Sequence, residues 1–173
     1  MTAAAMYDHM VNALKGWPAP HALDKSANLA DGESVFKGEV MYLDANANFV
    51  KGLACGAVGV ISLRNSADSD VRQSYTETVA YGVTGGVISG LVTTGPYEIE
   101  STEFVAGDYV PNDPLTAVNA GATRGQITEG VAYTDTLIGV VSDGVRTGKY
   151  SQQVIRFWTT WLPPLTCPSS SSA

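Results

Sequence analysis

Two carboxylates near the middle of this 173-residue sequence resemble the paired acids that serve acid–base catalysis. Glu98 and Glu100 are two residues apart, so both would point to the same face of a β-strand. Glycosidases use such pairs, and Tyr97 could supply an aromatic platform for a sugar ring. A catalytic pair also needs a cleft, and no further residue pattern predicts one here. We therefore interpret the pair as part of an exposed strand face.

A second candidate is a calcium loop that begins at Asp44, Asn46 and Asn48. These oxygen-bearing side chains have the alternating spacing of the first ligands in such loops. The pattern then fails, because Phe49 stands where a glycine is needed and Cys55 where the bidentate glutamate belongs. The segment predicts a turn and no metal site.

Nucleophilic catalysis and nucleotide binding are both poorly supported. The two histidines, His9 and His21, fall in the segment that we expect to be an arm and a linker. A catalytic base needs a rigid scaffold near its nucleophile. The glycines at 85–86 have no following lysine and no following helix, so they do not form a phosphate loop. We expect no enzyme activity and no cofactor.

Composition indicates one β-rich domain with arms. The chain is 45% apolar, contains 18 glycines and carries a net charge of −7, which argues against nucleic-acid and anionic-membrane partners. No apolar run is long enough for a transmembrane helix, and Asp8 and His9 interrupt any signal peptide. Cys55 and Cys167 lie in different contexts, and we expect two free thiols.

The N-terminal segment predicts a short helix over residues 2–15. Its apolar side chains follow helical spacing, at Met6, Tyr7, Met10, Val11 and Leu14. Trp17 then begins an extended, proline-containing linker, and residues 21–34 read as a polar loop. The helix either packs on its own domain or serves as an arm that docks on a neighbour. Both interpretations stay open.

From residue 35 onward the chain has the alternation and turn residues of β structure. Strands are predicted at 39–43, 49–50, 108–110, 115–118, 125–128, 137–142 and 152–161, with a tight turn at 143–144. We divide the chain into an arm and linker (1–34), a β body (35–165) and a flexible tail (166–173). Segments 35–39 and 58–62 match segments 104–108 and 138–142. Their spacing differs, so we interpret the matches as coincidence rather than duplication.

Aromatic residues are concentrated in the last predicted strand, at Phe157, Trp158 and Trp161. Large aromatic side chains dominate both protein cores and subunit interfaces. Phe157 and Trp158 should point to opposite faces of the strand, so one core cannot easily take both. Core packing and inter-subunit packing both remain possible.

Several of these segments resemble the capsid decoration (cement) proteins of tailed bacteriophages. They are Phe-Lys-Gly-Glu-Val-Met at 36–41, Phe-Val-Ala-Gly-Asp-Tyr-Val-Pro-Asn-Asp at 104–113, Ile-Gly-Val-Val-Ser-Asp-Gly at 138–144 and Val-Ile-Arg-Phe-Trp at 154–158. The resemblance implies a small β-barrel or tulip-like domain, or a sandwich, often trimeric. It also implies a place on the outer capsid of the virion, assembled in the host cytoplasm, with the major capsid protein as partner.

On this hypothesis the contacts to other proteins come from the two ends of the chain. The predicted interface residues are Met6, Tyr7, Met10, Leu14, Trp17, Phe157, Trp158 and Trp161. The resemblance implies neither an enzyme activity nor a cofactor. The alternative hypothesis is a receptor- or glycan-binding β module of a phage tail or fibre, with Tyr97, Glu98 and Glu100 lining its site.

Overall fold

The computed structural model describes residues 11–15, 24–66, 87–95, 97–148 and 151–167. These ranges contain β-strands, turns and bends, and no helix. The strands are β1 Val11–Lys15, β2 Asp24–Asn28, β3 Val40–Leu43, β4 Phe49–Lys51, β5 Val60–Ser62, β6 Val87–Val92, β7 Glu98–Ser101, β8 Pro114–Ala117, β9 Ile127–Glu129, β10 Leu137–Thr147 and β11 Gln153–Leu162.

The strands form two antiparallel sheets in a sandwich. One sheet has the order β2-β6-β5-β3-β4, and the other has the order β1-β7-β11-β10-β8-β9. The mainly β class is therefore confirmed. Of the expected architectures, the sandwich is the one observed, because each sheet keeps its own edges and the two do not close into a barrel.

The two sheets repeat the same arrangement of strands. Leaving β1 aside, the strands of each sheet lie in the same order, which is first, fifth, fourth, second and third by position in the chain. In both sheets a hairpin (β3–β4 or β8–β9) lies at the edge. Segment 58–62 includes β5, and segment 138–142 lies in its equivalent, β10. The shared strand order thus favours duplication of a five-strand unit. The match between 35–39 and 104–108 is not part of that repeat, because the turn equivalent to Phe36–Glu39 before β3 is Val110–Asp113 before β8.

A shared apolar core joins the sheets. It includes Val40, Ile61 and Leu91 from one sheet and Ile99 and Phe157 from the other, each at most 2% exposed. A second buried cluster contains Met41, Phe49, Val60 and Ile88. Since Val40 and Met41 are consecutive in β3, they point to opposite faces. The five-strand sheet is therefore apolar on both faces.

Two local predictions near the N-terminus need correction. The helix predicted over 2–15 is contradicted at Val11–Lys15, which is strand β1 paired with β7, and residues 2–10 lie outside the described ranges. A short helix is only marginally stable by itself in water. In β1, pairing with the edge of the sheet satisfies the backbone N–H and C=O groups instead. The loop predicted at 21–34 contains β2, which pairs with β6 along its whole length.

Two predictions in the second unit were also wrong. Residues 108–110 form no strand, because the Val110 N–H is bound by the Asp113 carboxylate at 2.7 Å in a turn. Residues 143–144 form no tight turn. β10 continues through them with an irregular register, and Gly144 has a φ of 67°. The turn at 44–48 is confirmed, with the Asp44 carboxylate accepting the N–H groups of Asn46 and Asn48 at 2.8 Å.

The two cysteines are not free. Cys55 and Cys167 form a disulfide across 112 residues of sequence, with 5.6 Å between their Cα atoms. This corrects the expectation of two thiols, which rested on their separation in sequence. The cross-link fixes the beginning of the predicted C-terminal tail to the loop between β4 and β5.

Candidate functional site

A surface cleft lies where equivalent loops of the two units meet. One is the loop after β4 (52–59), and the other is the loop after β9 (130–136). The Gly56 N–H donates to the Thr136 hydroxyl at 2.7 Å, and that hydroxyl also contacts the Ala54 carbonyl at 3.4 Å. Trp161 Nε1 donates to the Ala57 carbonyl at 2.9 Å. Together with the disulfide, these bonds hold the walls of the cleft in place.

The cleft has a volume of about 520 Å³ and a lining with both polar and apolar surface. The lining residues are Leu53, Cys55, Thr116, Asn119, Tyr133, Thr134, Asp135, Thr136 and Thr166. A smaller hollow of about 260 Å³ shares Leu53, Cys55 and Asn119 with it and adds Tyr42, Lys51, Ala54 and Arg124. The two hollows therefore adjoin the same three residues. Its main volume falls in the usual range for small-molecule sites.

Tyr133 is the most exposed aromatic side chain among the described residues, at 72%. Its φ of 68° is uncommon for a residue other than glycine. Two hydrogen bonds hold the surrounding turn. The Val131 N–H donates to Asp135 Oδ2 at 2.7 Å, and the Leu165 N–H donates to the Tyr133 carbonyl at 2.9 Å. The aromatic ring is therefore presented from a rigid backbone.

Polar side chains on the opposite wall are oriented by bonds to the backbone. Asn119 Oδ1 accepts the Leu53 N–H at 2.6 Å, which leaves its NH₂ group as a donor. The Thr116 hydroxyl donates to the Thr136 carbonyl at 2.7 Å. The lining thus combines fixed donors and acceptors with one aromatic ring.

The cationic groups beside the smaller hollow are already paired. Lys51 binds Glu39 at 2.7 Å, and Arg124 binds Glu33 at 2.8 Å. Burial raises the pKa of the Glu39 carboxyl above its usual value, although hydrogen bonds from Lys51 and from the Phe36 N–H oppose the shift. The hollow therefore presents no unpaired positive charge from these two residues.

An exposed apolar surface adjoins the cleft, and we call it the apolar patch. It consists of Val131, Leu162 and Leu165, which are 61%, 51% and 79% exposed. Leu165 is held beside the 131–135 turn by its bond to Tyr133, and Leu162 pairs with Leu137 at the end of β11. None of the three lines the cleft. The patch and the cleft are thus separate surfaces at the same end of the molecule.

The structure separates the residues that we predicted to form the interface. Met6, Tyr7, Met10 and Trp17 lie outside the described residues. Leu14 lies in β1, where the register with β7 shifts.

The three aromatic residues of β11 have different environments. Phe157 is fully buried in the shared core, so it packs inside the monomer. Trp158 points away from that core and is 37% exposed. Trp161 is half-buried and bonds to the Ala57 carbonyl.

The carboxylate pair is placed differently from our expectation. Glu98 and Glu100 both lie on β7, but Glu98 is only 5% exposed, so the strand face is not open. Arg156 Nε donates to Glu100 at 3.1 Å. Tyr97 is fully buried in the core and cannot act as a platform for a sugar. The site predicted for a glycan-binding module is therefore wrong.

The cleft was not predicted from the sequence, because its residues come from four separate segments of the chain. The available signals were the two cysteines and the hydroxyl-rich segment 133–136 (Tyr-Thr-Asp-Thr). Neither indicates by itself which other loop lies opposite. Only the pairing of the two units brings them together.

No metal centre or membrane helix emerges from the described ranges. Within them, no group of three or more His, Cys, Asp or Glu side chains could hold a metal ion. Nor do they include a helix with the length and hydropathy needed to cross a bilayer. Comparison with known proteins finds no matching family, no matching curated sequence and no matching solved structure.

Proposed function

We propose that this protein is a capsid decoration protein of a tailed bacteriophage. It binds the outer surface of the shell, stabilises contacts between major capsid protein subunits and acts as a homotrimer. The proposal starts from the resemblance of segments 36–41, 104–113, 138–144 and 154–158 to that family. It makes the protein a structural component of the virion with no catalytic role.

The observation that carries the proposal is the apolar patch. Three large apolar side chains, Val131, Leu162 and Leu165, are each more than half exposed and stand on a backbone fixed by hydrogen bonds. Large apolar side chains exposed near one another on a protein surface commonly mark a contact with another protein. A rigid surface also loses little conformational entropy on docking. Many such contacts around a symmetric shell would add avidity.

The disulfide is compatible with a virion protein. Cross-links of this kind persist in oxidising surroundings and are rare in the reducing cytosol. A shell protein assembled in the host meets oxidising conditions after lysis. On this proposal we expect the Cys55–Cys167 bond in released particles.

The test uses undecorated capsids and co-sedimentation. Leu162→Ser combined with Leu165→Ser should weaken binding at least roughly tenfold, because the apolar contact is lost at two positions. The matched control is Val110→Ser, which changes a side chain that is 59% exposed outside the patch and should leave binding unchanged. Equal binding by the wild type and the double variant would remove the patch from the proposal.

A deletion tests the predicted arm separately. Removing residues 1–10 takes away Met6, Tyr7 and Met10 but stops before β1, which is part of the sheet. If the arm contacts the capsid, this variant should keep its thermal stability and lose affinity. Unchanged affinity would assign capsid binding to the β body.

A further inference from the structure

The cleft between the two units is not used by the proposed capsid contact. Its lining excludes all three residues of the apolar patch. It lies at the junction of two structural units, where ligand sites are common. The disulfide, the bond from Gly56 to Thr136 and the bond from Trp161 to Ala57 fix its walls before any ligand arrives. A fixed cleft of about 520 Å³ can take a small ligand with little reorganisation.

We propose that this cleft binds a neutral sugar ring of a glycan, with the Tyr133 ring as the stacking surface. A pyranose has an apolar face of C–H groups and a rim of hydroxyls that each donate and accept. The exposed ring of Tyr133 can stack on the C–H face of the sugar, since aromatic rings offer apolar area with defined geometry. The positive φ of Tyr133 is a backbone conformation of higher free energy for a residue other than glycine. Such conformations often occur at functional sites.

Polar groups in the lining suit the hydroxyl rim of the sugar. The Asn119 NH₂ group is a donor, because its oxygen already accepts the Leu53 N–H. Asp135 binds the Val131 N–H through Oδ2, which leaves Oδ1 as an acceptor. The hydroxyls of Thr134 and Thr166 add groups that can do either. A donor and an acceptor side by side match two neighbouring sugar hydroxyls.

Other ligand classes fit the cleft less well. The lining has polar and apolar surface in similar amounts, so a wholly hydrophobic ligand would leave the carboxylate, amide and hydroxyl groups unpaired. An anion would meet the Asp135 carboxylate, while Lys51 and Arg124 are held by Glu39 and Glu33. A single carboxylate in the lining is too few for a bound cation. Of the ligand classes compared, a neutral polyhydroxylated ligand fits the cleft best.

The test is saturation-transfer NMR with methyl glycosides of glucose, galactose, mannose and N-acetylglucosamine, supported by an array of neutral glycans. At least one glycoside should receive saturation. Tyr133→Ala should weaken its binding at least roughly tenfold, and Tyr133→Phe should retain it because the ring remains. Asp135→Asn keeps an oxygen for the Val131 N–H, so the turn survives while the charged acceptor is lost, and it should also weaken binding.

The control variant Val110→Ala lies outside the cleft and should bind as the wild type does. No saturation of any glycoside and no array signal would overturn the proposal. Binding that persists unchanged in both Tyr133→Ala and Asp135→Asn would overturn it as well. The sugar and capsid proposals fail separately, because Leu162→Ser with Leu165→Ser should leave glycoside binding intact.

Discussion

The Cys55–Cys167 disulfide closes a loop across 112 residues of sequence, and its removal has a calculable effect. In the chain-entropy account, a cross-link of this span restricts the unfolded chain by about 4.8 kcal/mol at 25 °C. Part of this is offset in the reduced protein, because Thr166 and Cys167 can then gain freedom in the folded state at roughly 1 kcal/mol per residue, whereas Leu165 stays bonded to Tyr133. We expect a net loss of about 2–4 kcal/mol.

Thermal unfolding followed by circular dichroism measures this loss. For a chain of this length the expected decrease in Tm is roughly 4–16 °C, both on reduction of the wild type and in the variant Cys55→Ser with Cys167→Ser. Reductant should have no effect on the double variant, which is the internal control. If the oxidised wild type, the reduced wild type and the double variant all unfold within about 1 °C of each other, the cross-link does not constrain the chain as argued.

Three further substitutions test the core and a buried ion pair. Phe157→Ala should cost about 3–5 kcal/mol in urea unfolding because the side chain is fully buried, whereas Trp158→Ala should cost clearly less, and equal losses would contradict the burial pattern. For Glu39, whose pKa is raised by burial, the folded protein binds the proton more tightly than the unfolded chain. The stability of the wild type relative to Glu39→Gln should therefore be constant below pH 4.5 and fall as the pH rises through the folded pKa. A relative stability that increases over this range would mean that pairing with Lys51 outweighs desolvation.

Local patterning predicted the body of the fold well. Alternation and turn residues located β3, β4, β8 and β11, because these strands lie beside sharp turns or keep one face in the core. The same reasoning placed Glu98 and Glu100 on one face of a strand. It did not predict that Glu98 is buried, since burial depends on what covers the sheet.

The repeated strand order could not be predicted from the matched sequence segments. Within the matched segments, Gly38 and Val58 are 20 residues apart and Gly107 and Ile138 are 31 apart, which suggested chance. Part of the difference lies in the hairpin connections, since β3 and β4 are joined by a short turn and β8 and β9 by a longer loop. Hairpin loops accept insertions without changing strand order, so equal topology is the better criterion.

The disulfide and the cleft both depend on contacts between segments far apart in sequence. Cys55 and Cys167 gave no local signal of proximity, and β1 was assigned to a helix because its partner β7 lies more than 80 residues away. Tertiary pairing overrides local preference in such short segments. The candidate site arises from the meeting of two units and therefore could not be read from either alone.

The central claim is that the protein is built to sit on a capsid, and stoichiometric binding tests it most directly. Purified protein mixed with undecorated capsids should co-sediment and saturate at a fixed ratio to the major capsid protein. Bound density at every equivalent lattice position in cryo-electron micrographs would confirm the same result. Protein that stays in the supernatant at all concentrations, or binds without saturation, would contradict the proposal.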